Sequence, residues 1–189
     1  MNKTYFITGT DTDAGKTFVS QLLLKQLNLS QPTIGYKPIA AGAQLIDGCW
    51  QNDDALILLG ASNPQLDYQL INPICFEQAI APHIAATLNQ SPIALTDLDR
   101  WWHSVKHHSD VAIIEGAGGW RLPLNDTELL SDFAKNHQFE IIVVVGMKLG
   151  CLNHALLTVD AIKSDKLIIK GWVANQLATP MNQYQENLD

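Results

Sequence analysis

The stretch from Gly9 to Thr17, Gly-Thr-Asp-Thr-Asp-Ala-Gly-Lys-Thr, constrains this chain more than any other. Tyr5-Phe6-Ile7-Thr8 comes before it, a β-branched and aromatic run that reads as a buried strand. Phe18 to Leu27 follows, with apolar residues at helical spacing. Strand, glycine-bearing loop ending in Gly-Lys-Thr, and helix together make the context of a phosphate-binding loop. The backbone N–H groups of such a loop and the N-terminus of its helix present partial positive charge to an anion. Lys16 adds a full charge that can reach the outer phosphates, and the Thr17 hydroxyl can ligate Mg²⁺. The bland alternative is an ordinary turn with a capping Thr, and the agreement of strand, loop and helix weighs against it. The usual spacing of the motif would put Gly at position 10, where this chain has Thr10, so the loop is a variant. Asp11 and Asp13 set carboxylates beside a site meant for phosphates, which fits a loop that also handles a cation, an amine or a metal-bound water.

Such a loop needs a sheet behind it, and 189 residues suffice for one domain, 1–189, with a substantial core. Apolar residues make up 47% and charged residues 16%, the balance of a globular chain. The net charge of −7 and the lack of a basic run argue against nucleic acid or an anionic membrane as partner. No stretch approaches the roughly 20 apolar residues of a membrane span, and the N-terminus enters a strand directly. Cys49, Cys75 and Cys151 are odd in number and lack metal-ligand spacing, so they read as reduced thiols of a cytoplasmic protein.

Beyond the first helix, Thr33 to Lys37 reads as a second strand closed by Pro38. Lys37 would point its ammonium past the strand tips, where open α/β sheets bind ligands; a plain exposed lysine is the other reading. Asn52 looks like the cap of a short helix, Asp53 to Leu59, whose acidic first turn is ordinarily a dipole partner. Between Pro64 and Pro92 function is hard to read, apart from a helix start at Pro82. Thr96-Asp97-Leu98-Asp99 resembles a capping box opening a helix through Trp101, Trp102 and Val105. His103 and His107 are spaced to share a face, as an exposed pair more than a metal site.

Val111-Ala112-Ile113-Ile114-Glu115 is a continuous apolar strand ending in one carboxylate, followed by Gly116-Ala117-Gly118-Gly119-Trp120. An acid at that tip can hold Mg²⁺ or its water, and the glycines let backbone approach a ligand. Asp126 or Thr127 is expected to cap the next helix, through Leu129, Leu130, Phe133 and Ala134. Ile141 to Val145 reads as a buried strand and His154 to Ile162 as a helix, which makes Gly150 to Asn153 a second helix N-terminus suited to anions. Ile168 to Asn175 is the last clear strand. Strands alternating with helices imply a three-layer α/β fold of the P-loop NTPase kind, with a mostly parallel sheet covered on both faces.

Gly9 to Thr17, Gly35-Tyr36-Lys37-Pro38, Asp54-Ala55, Glu115 to Trp120, Lys148 to His154 and Gly171-Trp172-Val173-Ala174-Asn175 together resemble the dethiobiotin synthetase family, in the family's order and from end to end. The Lys148 to His154 block is the most specific part, since many ATPases carry a phosphate loop. The resemblance implies a biotin-pathway enzyme that joins 7,8-diaminononanoate and CO₂ into a cyclic urea, with ATP going to ADP and phosphate. It implies ATP contacts at Asp13, Ala14, Gly15, Lys16, Thr17, Phe18, Glu115, Gly116, Ala117 and Gly118, with Asn175 reading adenine. It implies Mg²⁺ on Thr17, Asp54 and Glu115, and catalysis by Lys37 and Lys16. Substrate would meet Thr12, Lys37 and Ala41, and its carboxylate would meet Gly150, Cys151, Leu152 and Asn153 from the other subunit of a homodimer. The family commonly has Ser where this chain has Ala41, and its members usually continue by about a helix and a strand beyond the position of Asp189.

Two other classes compete. A nucleotide-switched ATPase of the partition or septum-positioning type would carry a second lysine early in the loop, where this chain has Asp11, and would dock through basic surfaces. A small-molecule kinase would leave the Lys148 to Asn153 block without a task.

Overall fold

The computed structural model describes residues 3–177, 179 and 181–188; positions 1, 2, 178, 180 and 189 of the expected 1–189 domain lie outside the described residues. The described elements run β1 (Lys3–Gly9), α1 (Lys16–Leu27), β2 (Thr33–Tyr36), β3 (Ile39–Ala41), β4 (Gln44–Ile46), β5 (Cys49–Gln51), α2 (Asp53–Ala61), α3 (Tyr68–Ile71), β6 (Ile74–Phe76), α4 (Pro82–Leu88), α5 (Leu95–Val105), β7 (Val111–Glu115), α6 (Leu130–Asn136), β8 (Glu140–Met147), α7 (Cys151–Ser164) and β9 (Ile169–Gln176), then a 3₁₀ turn at Gln185–Asn187.

Five of these strands form the central sheet in the order β2-β7-β1-β8-β9, every pair parallel. The strands are apolar without alternation because both faces are covered. On one face Ile7, Ile113 and Val144 pack with Val19 and Leu24 of α1 and Leu58 of α2. Their neighbours in sequence, Phe6, Ile114, Val143 and Val145, point the other way, into a core shared with Leu98 and Trp102 of α5, Phe133 of α6 and Ile162 of α7. Edge-to-face ring contacts join Tyr36 to Trp101 and Trp102, and Trp102 to Phe139, with centroids 5.5–5.8 Å apart. Gly35 sits where α1 and α2 come closest to the sheet. A Cβ there would lie 2.6 Å from Leu24 Cδ1 and 3.1 Å from Leu58 Cβ.

The strands and helices expected from the sequence are present, with shifted ends. β2 stops at Tyr36, one residue before Lys37, and α7 starts at Cys151, three before the expected His154. The capping box at Thr96 does not form: α5 begins at Leu95 after Ala94, and no side chain of its own segment caps it. Glu128 supplies the missing acceptor from a distant loop, taking the Leu95 N–H at 2.9 Å. Asp126 and Thr127 do not cap α6 either. Asn125 turns that loop by accepting from the Thr127 and Glu128 N–H groups, and the Asp132 carboxylate takes the Leu129 N–H at the helix start. His107 lies beyond the end of α5, so it shares no helix face with His103.

Between β2 and α2 the sequence reading missed a small hairpin of β4 and β5, whose two-residue turn is Asp47-Gly48 with φ of 50° and 79°. Asp-Gly is a strong signal for such a turn; the short strands around it are not. The paired strands β3 and β6 were missed as well, being three residues each.

The close approach at Gly35 gives a direct test. Gly35→Ala should lower unfolding stability in urea by about 1–3 kcal/mol through overpacking. Gly171→Ala, where a Cβ would meet nothing within 4 Å, is the control and should stay within about 0.5 kcal/mol. Equal effects would show that α1 and α2 do not press on the sheet at Gly35.

Candidate active site

Pairing of β2 with β7 aligns Tyr36 with Ile114, so the next residues along the two strands are Lys37 and Glu115. Both are buried at the carboxyl end of the sheet. Lys37 donates to Glu115 Oε1 at 2.6 Å, to Asp54 Oδ2 at 3.2 Å and to the Gly116 carbonyl at 3.3 Å. Burial works against its charge, but Glu115 and Asp54 outweigh burial and hold the ammonium above the ordinary lysine range. Glu115 Oε1 also accepts from the Thr17 hydroxyl at 2.9 Å. Its other oxygen, Oε2, is buried and has no hydrogen-bond partner among the described residues.

The loop between β1 and α1 takes the shape of an anion cradle. Asp13 and Gly15 have φ of 58° and 92°, on either side of Ala14, a pattern that turns successive N–H groups to one side. A side chain at Gly15 would be strained at that φ and would displace the Asn175 amide, whose Nδ2 lies 2.0 Å from where a Cβ would stand. Thr10 needs no glycine freedom: its N–H donates to Val144 O at 3.0 Å, and its hydroxyl accepts from Gly146 N–H at 3.4 Å. Asp11 pairs with Lys148, one residue past β8, and this hydrogen bond holds its carboxyl below the usual range. Lys16 is buried and donates to the Asp11 carbonyl at 3.1 Å. Burial, helped by repulsion from Lys37, lowers its pKa.

These groups wall a cleft of about 680 Å³. Of the residues anticipated from sequence, Thr12, Asp13, Gly15, Lys16, Thr17, Lys37, Ala41, Asp54, Ala117 and Gly118 line it. Glu115 lies behind Lys37 and Thr17, through its hydrogen bonds to both. Gly116 packs on the Phe6 ring, Ala14 is buried beneath the loop, and Phe18 is exposed. Asn175 gives its amide to the Ala14 carbonyl at 2.9 Å, against the back of the loop. Gly150, Cys151, Leu152 and Asn153 are not among the lining residues. They form the start of α7, with Gly150 at φ 93° in open space, Cys151 buried, and Leu152 and Asn153 exposed.

The sequence reading missed the remaining walls, Ala40, Asn52, Leu122 and the run from Ala79 to Pro82. Asn52 was legible only as a cap, which it is; it also donates to the Ala41 carbonyl at 3.1 Å. Tyr68 and Asn72, which hold the backbone behind Lys37, carried no signal at all.

For a divalent metal the fit is favourable. Thr17, Asp54 and Glu115 offer hard oxygens, and the orphaned Glu115 Oε2 is an acceptor with capacity to spare. Among the described residues no group of three or more His, Cys, Asp or Glu is placed to hold a metal ion by itself. Two carboxylates and a hydroxyl suit Mg²⁺, which keeps waters and shares substrate phosphates.

A family model described as an AAA domain matches residues 3–188. The ATP-dependent dethiobiotin synthetase BioD of Alteromonas mediterranea is 51% identical over 200 positions, covering 98% of this chain and 85% of the relative. Its counterpart from Aeromonas salmonicida is 48% identical, covering 100% of this chain and 84% of the relative. Among solved structures, the kinase domain of the Escherichia coli tyrosine kinase ETK superposes with a TM-score of 0.49 at 17% identity, over 96% of this chain and 69% of that one. A likeness that loose carries no weight for function.

The buried charge of Lys16 generates a test. Because the fold disfavours its charged form, Lys16→Met should raise the thermal midpoint of the protein measured without nucleotide. Wild type should gain about 2.7 kcal/mol from Mg-ATP at a hundredfold excess over Kd, and the variant should gain almost nothing. A less stable variant, or one that nucleotide stabilises normally, would contradict this account of the loop.

Proposed function

The chain belongs to the dethiobiotin synthetase family, and from that membership we propose that this cleft closes the cyclic urea of dethiobiotin from 7,8-diaminononanoate, CO₂ and ATP. One amine of the diamine adds to CO₂ and loses a proton, giving a carbamate. A carbamate oxygen attacks the γ-phosphorus, and the bond to the ADP oxygen breaks. The second amine then attacks the carbonyl carbon of the mixed anhydride, expels phosphate and closes the ring.

The observation that carries this reading is the buried Lys37 ammonium, wedged between Asp54 and Glu115 in the cleft beside the phosphate loop. A lysine held charged in a water-poor wall is suited to neutralise the carbamate and the phosphoryl oxygens as charge develops there. Lys16 and the loop N–H groups would take the outer phosphates. Thr17, Asp54 and Glu115 would hold Mg²⁺, which neutralises charge across the β- and γ-phosphates when bound. Thr12 and Ala41 on the cleft wall would face the diamine, and Asn175 would select the base from behind the loop. The whole works as one ligase domain. Its setting is the cytoplasm, where thiols such as the unpaired Cys49, Cys75 and Cys151 stay reduced.

The start of α7 would serve the facing subunit of a homodimer. It lies outside its own chain's cleft, and beside it Leu149, Leu152 and Leu156 are all exposed, Leu149 by 95%. An apolar stripe of that kind fits a second copy of the chain covering it.

ATP turnover should require both diamine and bicarbonate, with phosphate and dethiobiotin released in equal amounts. Hydrolysis at the same rate without the diamine would instead favour a nucleotide-switched ATPase. Shared sites make a second expectation. Lys37→Ala and Gly150→Leu should each be nearly inactive alone. After subunit exchange, about a quarter of the sites should be intact, because half the dimers are hybrids with one clean site each. No recovery on mixing would put both elements in the same chain's site.

A further inference from the structure

A ring of polar contacts ties the backbone of Lys37 to the backbone of Asp54, and the half-buried Tyr68 is its hub. Tyr68 opens α3 and donates its hydroxyl to Asn72 Oδ1 at 2.7 Å, while accepting the Asn52 N–H at 2.8 Å. On one side Asn72, buried, donates through Nδ2 to the Lys37 carbonyl at 2.6 Å. The Lys37 N–H is held in turn by the Ile71 carbonyl at 2.9 Å. On the other side Asn52, also buried, accepts at Oδ1 from the Asp54 and Ala55 N–H groups and donates to the Ala41 carbonyl. The circuit closes in the cleft, where Lys37 Nζ meets Asp54 Oδ2 at 3.2 Å.

Asp54 is the loosest of the three oxygen donors. Its side chain is 43% exposed, and among the described residues Lys37 is the one hydrogen-bond partner of its carboxylate. Its position relative to Glu115 therefore depends on where α2 begins, and Asn52 sets that. Lys37 is similarly placed by its backbone, which Asn72 grips. One phenol hydroxyl holds both asparagines, accepting from Asn52 and donating to Asn72, and a phenylalanine at that point can do neither.

We propose that Tyr68 is a positioning residue that fixes Asp54 and Lys37 in register for the metal and the phosphates, acting through Asn52 and Asn72. This rests on Asp54 and Lys37 having the roles proposed above. Burial raises the Tyr68 phenol well above its ordinary range, so it remains a donor at any working pH.

The test compares Tyr68→Phe with Trp101→Phe. Trp101 Nε1 donates to the Leu70 carbonyl of the same short helix at 2.9 Å, and its hydrogen bond involves neither asparagine, so its loss weakens α3 without opening the ring. Urea unfolding matches the two variants for stability. Mg²⁺ is then titrated against ADP binding by calorimetry, a readout that needs no turnover. Tyr68→Phe should raise the half-saturating Mg²⁺ about tenfold, and Trp101→Phe should leave it within about twofold. In an Asp54→Asn background, adding Tyr68→Phe should change the Mg²⁺ dependence no further, because the arm of the ring that reaches the metal runs through Asn52 to Asp54, while the Asn72 arm to Lys37 is read in kcat. In turnover, kcat should fall about tenfold for Tyr68→Phe while KM for ATP stays within about threefold. The inference is overturned if Tyr68→Phe titrates like wild type, if Trp101→Phe shifts Mg²⁺ equally, or if the shift persists in full beside Asp54→Asn. It also falls if Mg²⁺ does not aid ADP binding to wild type. Wild-type turnover that ignores the diamine would sink the proposed function alone, leaving the Mg²⁺ result to judge Tyr68.

Discussion

The ion pair between Lys37 and Glu115 is the interaction on which the rest of the site depends. Glu115 is fully buried, and an unpaired buried carboxylate costs several kcal/mol. Lys37 offsets that cost at 2.6 Å because β2 and β7 are adjacent and in register. Removing either partner from such a pair typically costs about 3–5 kcal/mol, most of it the stranded charge. The ammonium thus has two tasks. It compensates the buried Glu115 carboxylate, and it stands charged on the wall of the cleft.

Around that pair the loops are held by contacts that cross the sheet. Asp11 reaches Lys148 beyond β8, Thr10 bonds Val144 and Gly146, and Asn175 of β9 supports Ala14. The phosphate loop is therefore fastened on the side of β8 and β9, while Lys37, Glu115 and Asp54 approach from β2, β7 and α2. The Gly-rich turn after β7 is fastened in the same manner: Trp120 packs edge-on to Phe6, and its indole N–H donates to Asp165 at 2.9 Å. That clamp connects the floor of the cleft to the far end of α7, the helix whose start lies outside its own cleft.

The elements and the chemistry of the loop were legible in the amino-acid sequence alone. A short β-branched apolar run such as Val111 to Ile114, bounded by turn residues, reads as a strand buried on both faces, and Gly-Lys-Thr between a strand and a helix has few other uses. Local rules worked where a residue's partner is a neighbour in sequence, as with Asn52 capping α2 or Pro82 opening α4. They failed where the partner is remote. The start of α5 takes its acceptor from Glu128, 33 residues away, so the capping pattern at Thr96 named the wrong residue. That Lys37 is buried and paired becomes visible only in the folded chain, since an isolated lysine after a strand is ordinarily solvated and nothing near it announces Glu115, 78 residues on. The same holds for Tyr68 and Asn72, whose meaning lies in the carbonyl of Lys37 that they hold, 35 residues from Asn72. A spacing in sequence can encode a helix face or a turn, because those depend on the chain's own period. A hydrogen bond between elements depends on which strands become neighbours, and that is settled only when the sheet has formed.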